Sequence, residues 1–493
     1  MKNFFSKLFP FFLIIISCFL FSISHPSFIH EEGISYFAWI CLVPFLFVIK
    51  QSSLKKSFCF GFLFGFFCYF IYGNWLFSYR PIACILICIL YGIYLGIVSV
   101  FFYFTEKNIK KISWLIKALF FLIYEYIKTL GFIGFNYGVI GYTQWQNSIL
   151  LKSASITGVW GISFLIILIN ICITDLIYDF IKTDKQKKEI IISKIPNIVF
   201  CSLTFIILVA IGNYSFKDSK KTNTVNLLLI QNNSDPWAGG VKEYQKEVDG
   251  LIELTEIGLK KHPKTQIVVW PETAVVPDIL YNYESNKDSA RKKIIDNLLN
   301  FMNKTECIFV IGNNYSEKKL NAVKSYNSVL VFEGKKNVIP PKPHIYSKIH
   351  LVPFEEYFPF KKQLYGIYKK LIEQGNHFWA KGNEYKVFQT KYANFCTPIC
   401  FEDTFSSLVK KLCNKNANLI VNLSNDSWSG RIECQYQYLS MAVFRSVENK
   451  IPTVRSTSSG QTCYIAEDGR IEAMLNPYKR DFLYCQVKIP VRQ

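Results

Sequence analysis

Negative charge is scarce in this 493-residue chain, and so are closely spaced cysteine pairs. Against 56 Lys and Arg stand 36 Asp and Glu, a formal net charge of +20. Such an excess often marks nucleic-acid binding. Here the lysines instead cluster in short loops between apolar runs, where they report membrane orientation, so no nucleic-acid partner is expected. Fifteen cysteines are many, yet no C-x-x-C pair occurs, which removes the usual metal and dithiol-redox patterns. Eight of them lie in the apolar first part of the chain, where cysteine behaves as a small hydrophobe. The other seven, an odd number, leave at least one thiol free. Cys396 and Cys400 are close enough in sequence for a disulfide, but both are expected reduced. Neither a metal nor a cofactor is called for.

What is abundant divides the chain in two. Residues 1–214 are nearly continuous apolar runs, and a bilayer span needs about 20 such residues, with about 17 still workable. Seven candidates are Phe4–Ser24, Ser35–Ile49, Phe58–Phe77, Pro81–Phe104, Leu115–Phe135, Val159–Ile177 and Ile195–Ile211. The second is short and contains Pro44. Lysines fall in alternate loops: Lys2 and Lys7, then Lys50, Lys55 and Lys56, then Lys107, Lys110 and Lys111, then Lys182 to Lys194. The positive-inside rule puts the N-terminus in the cytoplasm, and seven crossings place residue 215 onward outside. Glu125 and Lys128, three apart on one helix face, are expected to satisfy each other near the outer interface. The Gly-rich stretch after them suits a tight interfacial turn.

From residue 215 onward, β-branched runs alternate with amphipathic stretches. Strands are expected at 224–231, 266–270, 307–312, 328–333, 394–400, 419–423, 453–456 and 462–467. Helices are expected at 241–261, 292–303 and 437–449. Strands alternating with helices indicate a layered α/β domain. The expected architecture is a multi-span α-helical membrane domain, 1–214, followed by an α/β domain, 215–493.

Three residues in that second part sit at or just past strand ends, where α/β sites collect. They are Glu272 in V-V-W-P-E-T-A, Lys348 in Y-S-K-I-H-L-V-P-F and Cys400 in T-P-I-C-F-E-D. A thiol that attacks a carbonyl, a carboxylate that takes its proton and an ammonium that balances the oxyanion form a working set for acyl transfer through a thioester. Taken singly, Cys400 reads as a packed strand cysteine, Glu272 as a loop carboxylate and Lys348 as a surface lysine.

The strings around these residues resemble the three signatures of the nitrilase, or carbon–nitrogen hydrolase, superfamily, which uses a Glu–Lys–Cys triad on an αββα sandwich. H-L-V-P-F, N-D-S-W near Asn425 and M-A-V-F-R-S-V-E-N narrow the likeness, as do F-A-W-I-C-L-V-P-F-L-F, E-Y-I-K with G-F-N-Y-G, and G-V-W-G-I-S-F upstream. Together they resemble the apolipoprotein N-acyltransferase family over nearly the whole chain. The resemblance implies Glu272 as general base, Lys348 as oxyanion stabiliser and Cys400 as nucleophile. It also implies Glu356, Phe401, Glu402 and Trp237 as residues beside the site or binding substrate. Phe401 stands where the family usually has Tyr, Glu355 where Gly is usual, and S-T-S-S-G near Ser459 where a more Asn-rich form is usual. The family normally has a further span after its soluble domain, whereas residues 215–493 hold no apolar run long enough to cross.

The implied reaction is a two-step exchange. Cys400 takes an acyl chain from a phospholipid, and the thioester then acylates the α-amine of the diacylglyceryl-cysteine at the N-terminus of an apolipoprotein. The expected partners are thus a phospholipid donor, a lipid-modified apolipoprotein acceptor and the membrane itself. The expected place is a bacterial inner membrane with the catalytic domain on the periplasmic side. Two other readings use the same features: a membrane-tethered hydrolase of small amides, and a non-catalytic lipid-binding or transport protein. The segment Val352–Trp379, aromatic and lysine-rich, is expected to form an arm in the headgroup layer rather than an ordinary helix packed on the sheet.

Overall fold

The computed structural model describes residues 2–109, 111–131, 134–182, 186–217, 221–234, 239–285, 289–319 and 322–491. It divides into two compact units: Met1–Asp218 with Arg431–Glu448, and Ser219–Gly430 with Asn449–Gln493.

In the first unit, five helices among the described residues are long and apolar enough to cross a bilayer: Lys7–Ser24, Leu54–Tyr72, Pro81–Asn108, Val159–Lys182 and Lys187–Ser215. Two of the seven expected spans take another form. The second breaks into a 3-10 turn, Ser35–Trp39, and a helix, Val43–Lys50. Pro44 supplies no N–H, and the backbone groups freed at the break are met by buried Asn170, which accepts from Leu42 N at 2.9 Å and donates to Ala38 O at 2.9 Å. The fifth forms a 15-residue helix, Ser113–Ile127, which rises about 22 Å. Leu54–Tyr72 packs closely on Pro81–Asn108 because Gly61 leaves room. A Cβ there would lie 2.3 Å from Ser99 Oγ.

Two polar clusters lie within this unit. Lys50 pairs with Asp175 and, at 2.9 Å, with Glu106; Lys117 reaches Glu106 at 2.8 Å and Asp175 at 3.7 Å. Glu125 and Lys128 do more than face each other. Lys128 donates to Tyr69 OH at 2.6 Å and Gly138 O at 2.8 Å, while Glu125 accepts from Ile140 N at 2.8 Å. Both therefore tie the end of their helix to the Gly-rich segment, of which residues 132 and 133 lie outside the described residues. Helix Ile432–Asn449 supplies nearly all its length to this same unit. Gln437 accepts from Trp75 Nε1 at 2.8 Å and donates to Pro26 O at 2.8 Å, and Arg445 donates to Tyr142 OH at 2.9 Å. These buried polar partners keep the helix there.

Among the described residues the second unit has twelve strands. In chain order they are β1 Thr222–Gln231, β2 Ile267–Val269, β3 Ile308–Lys319, β4 Ala322–Glu333, β5 His344–Ser347 and β6 Phe388–Gln389. Then follow β7 Asn394–Cys396, β8 Leu419–Ser424, β9 Thr453–Thr457, β10 Cys463–Ile465, β11 Ile471–Met474 and β12 Asp481–Pro490. They form two six-stranded mixed sheets, ordered β12-β1-β2-β3-β4-β5 and β11-β10-β9-β8-β7-β6. The central strands are parallel and buried on both faces; L-I-V-N-L-S of β8 is wholly buried.

Ser456 Oγ of β9 donates to Ile230 O at 2.8 Å and Val269 O at 3.2 Å, stitching the two sheets face to face. On the outer face of the first sheet, Val248 and Leu251 of helix Val241–Lys261 and Ile294, Leu298 and Met302 of helix Ser289–Asn303 pack with Leu228, Val268, Phe309 and Phe332. Helix Ser406–Cys413 lies against β7 of the second sheet. This is the expected αββα layering of an α/β domain.

Candidate active site

Glu272 lies three residues beyond β2, Lys348 directly after β5, and Cys400 four residues beyond β7. Because β2 and β3 run in parallel and β5 is two antiparallel steps from β3, the chain ends that carry Glu272 and Lys348 emerge at the same end of the first sheet, while Cys400 follows β7 of the second. Close backbone approach is built in. A Cβ on Gly312 would lie 2.3 Å from Pro271 O and 2.6 Å from Glu272 Cα. Cys400 itself has φ +48°, a left-handed conformation that is strained in a non-glycine residue and that concentrates at functional sites.

The structure brings Glu272, Lys348 and Glu356 together. Glu272 Oε1 accepts from Asn327 Nδ2 at 2.7 Å and from Lys348 Nζ at 3.5 Å, and its Oε2 accepts from the Asn425 N–H at 2.8 Å. Lys348 Nζ donates to Glu356 Oε1 at 2.7 Å, and Glu356 Oε2 accepts from Val352 N at 2.8 Å. Lys348 is only 1 % exposed, so these carboxylates are its compensation for lost water. Burial alone would lower its pKa. The Glu356 and Glu272 carboxylates, with Cys400 adding to them, outweigh that and hold the ammonium above the ordinary lysine value.

Cys400 shares this charge environment. Burial, and then the Glu272 carboxylate, push its thiol well above the ordinary cysteine value, against the opposing pull of Lys348. These surroundings favour the protonated thiol. Phe401 packs edge-on against Phe405 with ring centroids 4.9 Å apart.

Glu402 is fully buried in the 3-10 turn Cys400–Thr404 and joins two of the three signature strings. Its Oε1 accepts from Ile349 N at 2.7 Å and His350 N at 2.9 Å, and its Oε2 from Ile399 N at 2.9 Å. Tyr346 OH donates to both oxygens, at 3.0 and 2.9 Å. The lysine loop is thereby fastened to the nucleophile turn. Burial raises the Glu402 pKa to about 7, with the backbone N–H donors pulling the other way. Trp237 lies outside the described residues.

Asn327, Tyr346 and the Asn425 N–H escaped the sequence reading. Asn327 is a polar residue in an otherwise ordinary strand, and a backbone N–H leaves no trace in sequence. Among the described residues no group of three or more His, Cys, Asp or Glu could hold a metal ion.

Residues 17–172 match the family profile of the apolipoprotein N-acyltransferase N-terminal domain, and residues 229–493 match that of carbon–nitrogen hydrolases. The chain is 37 % identical to apolipoprotein N-acyltransferase 1 of Treponema denticola, over 97 % of this chain and 90 % of that one. The chain belongs to the apolipoprotein N-acyltransferase family. Apolipoprotein N-acyltransferase 1 of Treponema pallidum is 34 % identical over 98 % and 90 % of the two chains. The Borreliella burgdorferi apolipoprotein N-acyltransferase is 29 % identical over 94 % and 87 %. The resemblance read from the motifs is thus borne out. The protein is an acyltransferase with apolar, membrane-type helices before a nitrilase-like α/β domain.

Proposed function

We propose that this protein transfers an acyl chain from a phospholipid, through a thioester on Cys400, to the α-amine of a lipid-modified N-terminal cysteine. The observation behind this reading is the convergence of Glu272, Lys348 and Glu356 at the strand ends, with Cys400 in the same charge environment, in a chain of this family.

In the first step Glu272 takes the thiol proton as sulfur attacks the ester carbonyl, and Lys348 stabilises the oxyanion. The carbon–oxygen ester bond then breaks, and the leaving alkoxide recovers the proton from Glu272 as a lysophospholipid. In the second step the amine attacks the thioester carbon while Glu272 takes its proton. The amide forms, the carbon–sulfur bond breaks, and the departing thiolate is reprotonated. Glu356 takes the shorter hydrogen bond of Lys348, so the ammonium is shared rather than paired with Glu272 alone.

The same proposal has the site outside the cytoplasm. The lysine pattern fits if the broken Ser35–Lys50 stretch and the Ser113–Ile127 helix also traverse. The ion-pair cluster supports this, because Lys50, Glu106, Lys117 and Asp175 all come from helix ends that this topology assigns to the cytoplasmic side. Seven crossings then put the catalytic unit on the periplasmic side of the inner membrane. Confinement beside the bilayer brings two lipid-anchored substrates to one depth.

The test incubates purified protein with phospholipid and a diacylglyceryl-cysteinyl peptide. Equal amounts of lysophospholipid and N-acylated peptide are expected. Free fatty acid without N-acylated peptide, or turnover of small amides alone, would overturn the reading.

A further inference from the structure

A second cleft lies in the α/β unit, with a volume of about 310 Å³, which is in the range of small-ligand sites. The β3–β4 hairpin forms one wall. Asn314 pairs with Asn327, and Ser316 with Ser325, in the antiparallel register. Residues two apart on a strand share a face, so this wall continues the surface from which Asn327 holds Glu272. The opposite side brings Asp278, His377 and Trp379. The Trp379 N–H donates to Glu356 O at 2.7 Å. The cleft is thus joined to the triad through two neighbours of its lining, Asn327, which holds Glu272, and the backbone of Glu356.

Its chemistry is that of a peptide path. Asn314 Nδ2 donates to Val276 O at 3.2 Å, but its buried Oδ1 has no hydrogen-bond partner. Asp278 Oδ1 accepts from Tyr281 N at 3.0 Å; its buried Oδ2 has no partner in hydrogen-bond geometry, and Ser316 of β3 is a further group that stabilises the carboxylate. Such oxygens call for a ligand with N–H donors. Hydroxyls, an amide and an indole complete the lining, and its charged members are one carboxylate, Asp278, and one guanidinium, Arg291. A phosphate site would gather cations. Exposed apolar side chains lie away from this lining, in 354–367. Helix Tyr365–Glu373 buries no residue, and Phe354, Phe360, Tyr365 and Ile367 are more than half exposed.

We propose that this cleft holds the polypeptide that follows the lipid-modified cysteine of the acceptor, so that peptide and acyl chains leave the triad by separate paths. The inference rests on the acyl-transfer reading above.

The experiment uses the full-length protein and separates the half-reactions. Thioester formation is read with phospholipid alone. Discharge of the thioester is then read with two acceptors: a diacylglyceryl-cysteine amide, and the same group followed by four uncharged residues. Ser325→Trp, which fills the cleft, is expected to slow discharge to the longer acceptor by about tenfold or more, an effect of the size that one lost anchor produces. Discharge to the short acceptor should change far less, and Asn314→Ala should show the same split more weakly. Equal loss on both acceptors means a structural role and overturns the proposal. Loss confined to thioester formation means a donor-headgroup site and also overturns it, as does no loss in either variant. Failure of the wild-type protein to form a thioester would instead overturn the acyl-transfer reading.

Discussion

Lys348 makes its shorter hydrogen bond to Glu356, at 2.7 Å, and its longer one to Glu272, at 3.5 Å. In the proposed mechanism, a lysine paired with Glu272 alone would occupy the oxygen that has to accept the thiol proton. With Glu356 as the principal partner of Lys348, the proposed mechanism has Glu272 take the thiol proton. Glu356→Gln should therefore let the ammonium move onto Glu272. Steady-state kinetics should show a rate loss of about 10- to 100-fold, the range of lost acid–base assistance, with the fold kept. Near-wild-type turnover would show that Glu356 has no part in the division of labour.

The charges around Cys400 set the sign of a second expectation. Glu272 raises the thiol pKa and Lys348 lowers it. Glu272→Gln should shift the pH midpoint of Cys400 alkylation downward while acyl transfer is lost. Lys348→Met should shift that midpoint upward, and should slow acylation by roughly 100-fold or more, as removal of an oxyanion donor does. The readout is the rate of labelling by a small alkylating reagent across pH. Shifts of the opposite sign would contradict the assigned neighbourhood.

Glu402 gives a pH-linked stability. Its folded pKa of about 7 is above the unfolded value of about 4.3. The contribution is therefore full below the unfolded value and lost as pH rises through about 7. Thermal unfolding should show stability falling between those values, with a shallower fall in Glu402→Gln. That variant also turns amide hydrogens toward N–H groups that had carboxylate partners, at a cost of about 1–3 kcal/mol. An identical pH slope in both proteins would remove Glu402 from the account.

The Val352–Trp379 arm is open to a direct comparison. Phe354, Tyr357, Phe358 and Phe360 replaced together by Ser should weaken phospholipid use far more than labelling of Cys400 by a small soluble reagent. Phe354 and Phe360 are about half exposed and have positive φ, so they have little core to lose. Equal loss in both assays would make the segment ordinary packing.

The positions of Glu272, Lys348 and Cys400 just past strands were legible because each stands in a specific string after a β-branched run. So were β1, β2 and the helices 241–261 and 292–303, whose apolar spacing is regular. The outer halves of β3 and β4 were not, since N-N-Y-S-E and V-K-S-Y-N-S hold too few apolar side chains to signal a strand. Register across the hairpin, not burial, keeps them extended. β12 was missed because its long-range antiparallel partner is β1, more than 250 residues earlier. The membrane part misled on regularity: Asn170, far along the chain, is what permits the break at Ser35–Lys50.

The most direct measurement is mass spectrometry of the peptide bearing Cys400 after the protein meets phospholipid without acceptor. The account expects that peptide to gain one acyl group, removable by hydroxylamine or by the lipopeptide amine, with Cys396 unmodified. The Cys400→Ala and Cys400→Ser proteins should gain none, and Cys396→Ala should keep most activity. An acyl group elsewhere, or full transfer by Cys400→Ala, would contradict the thioester at the centre of the mechanism.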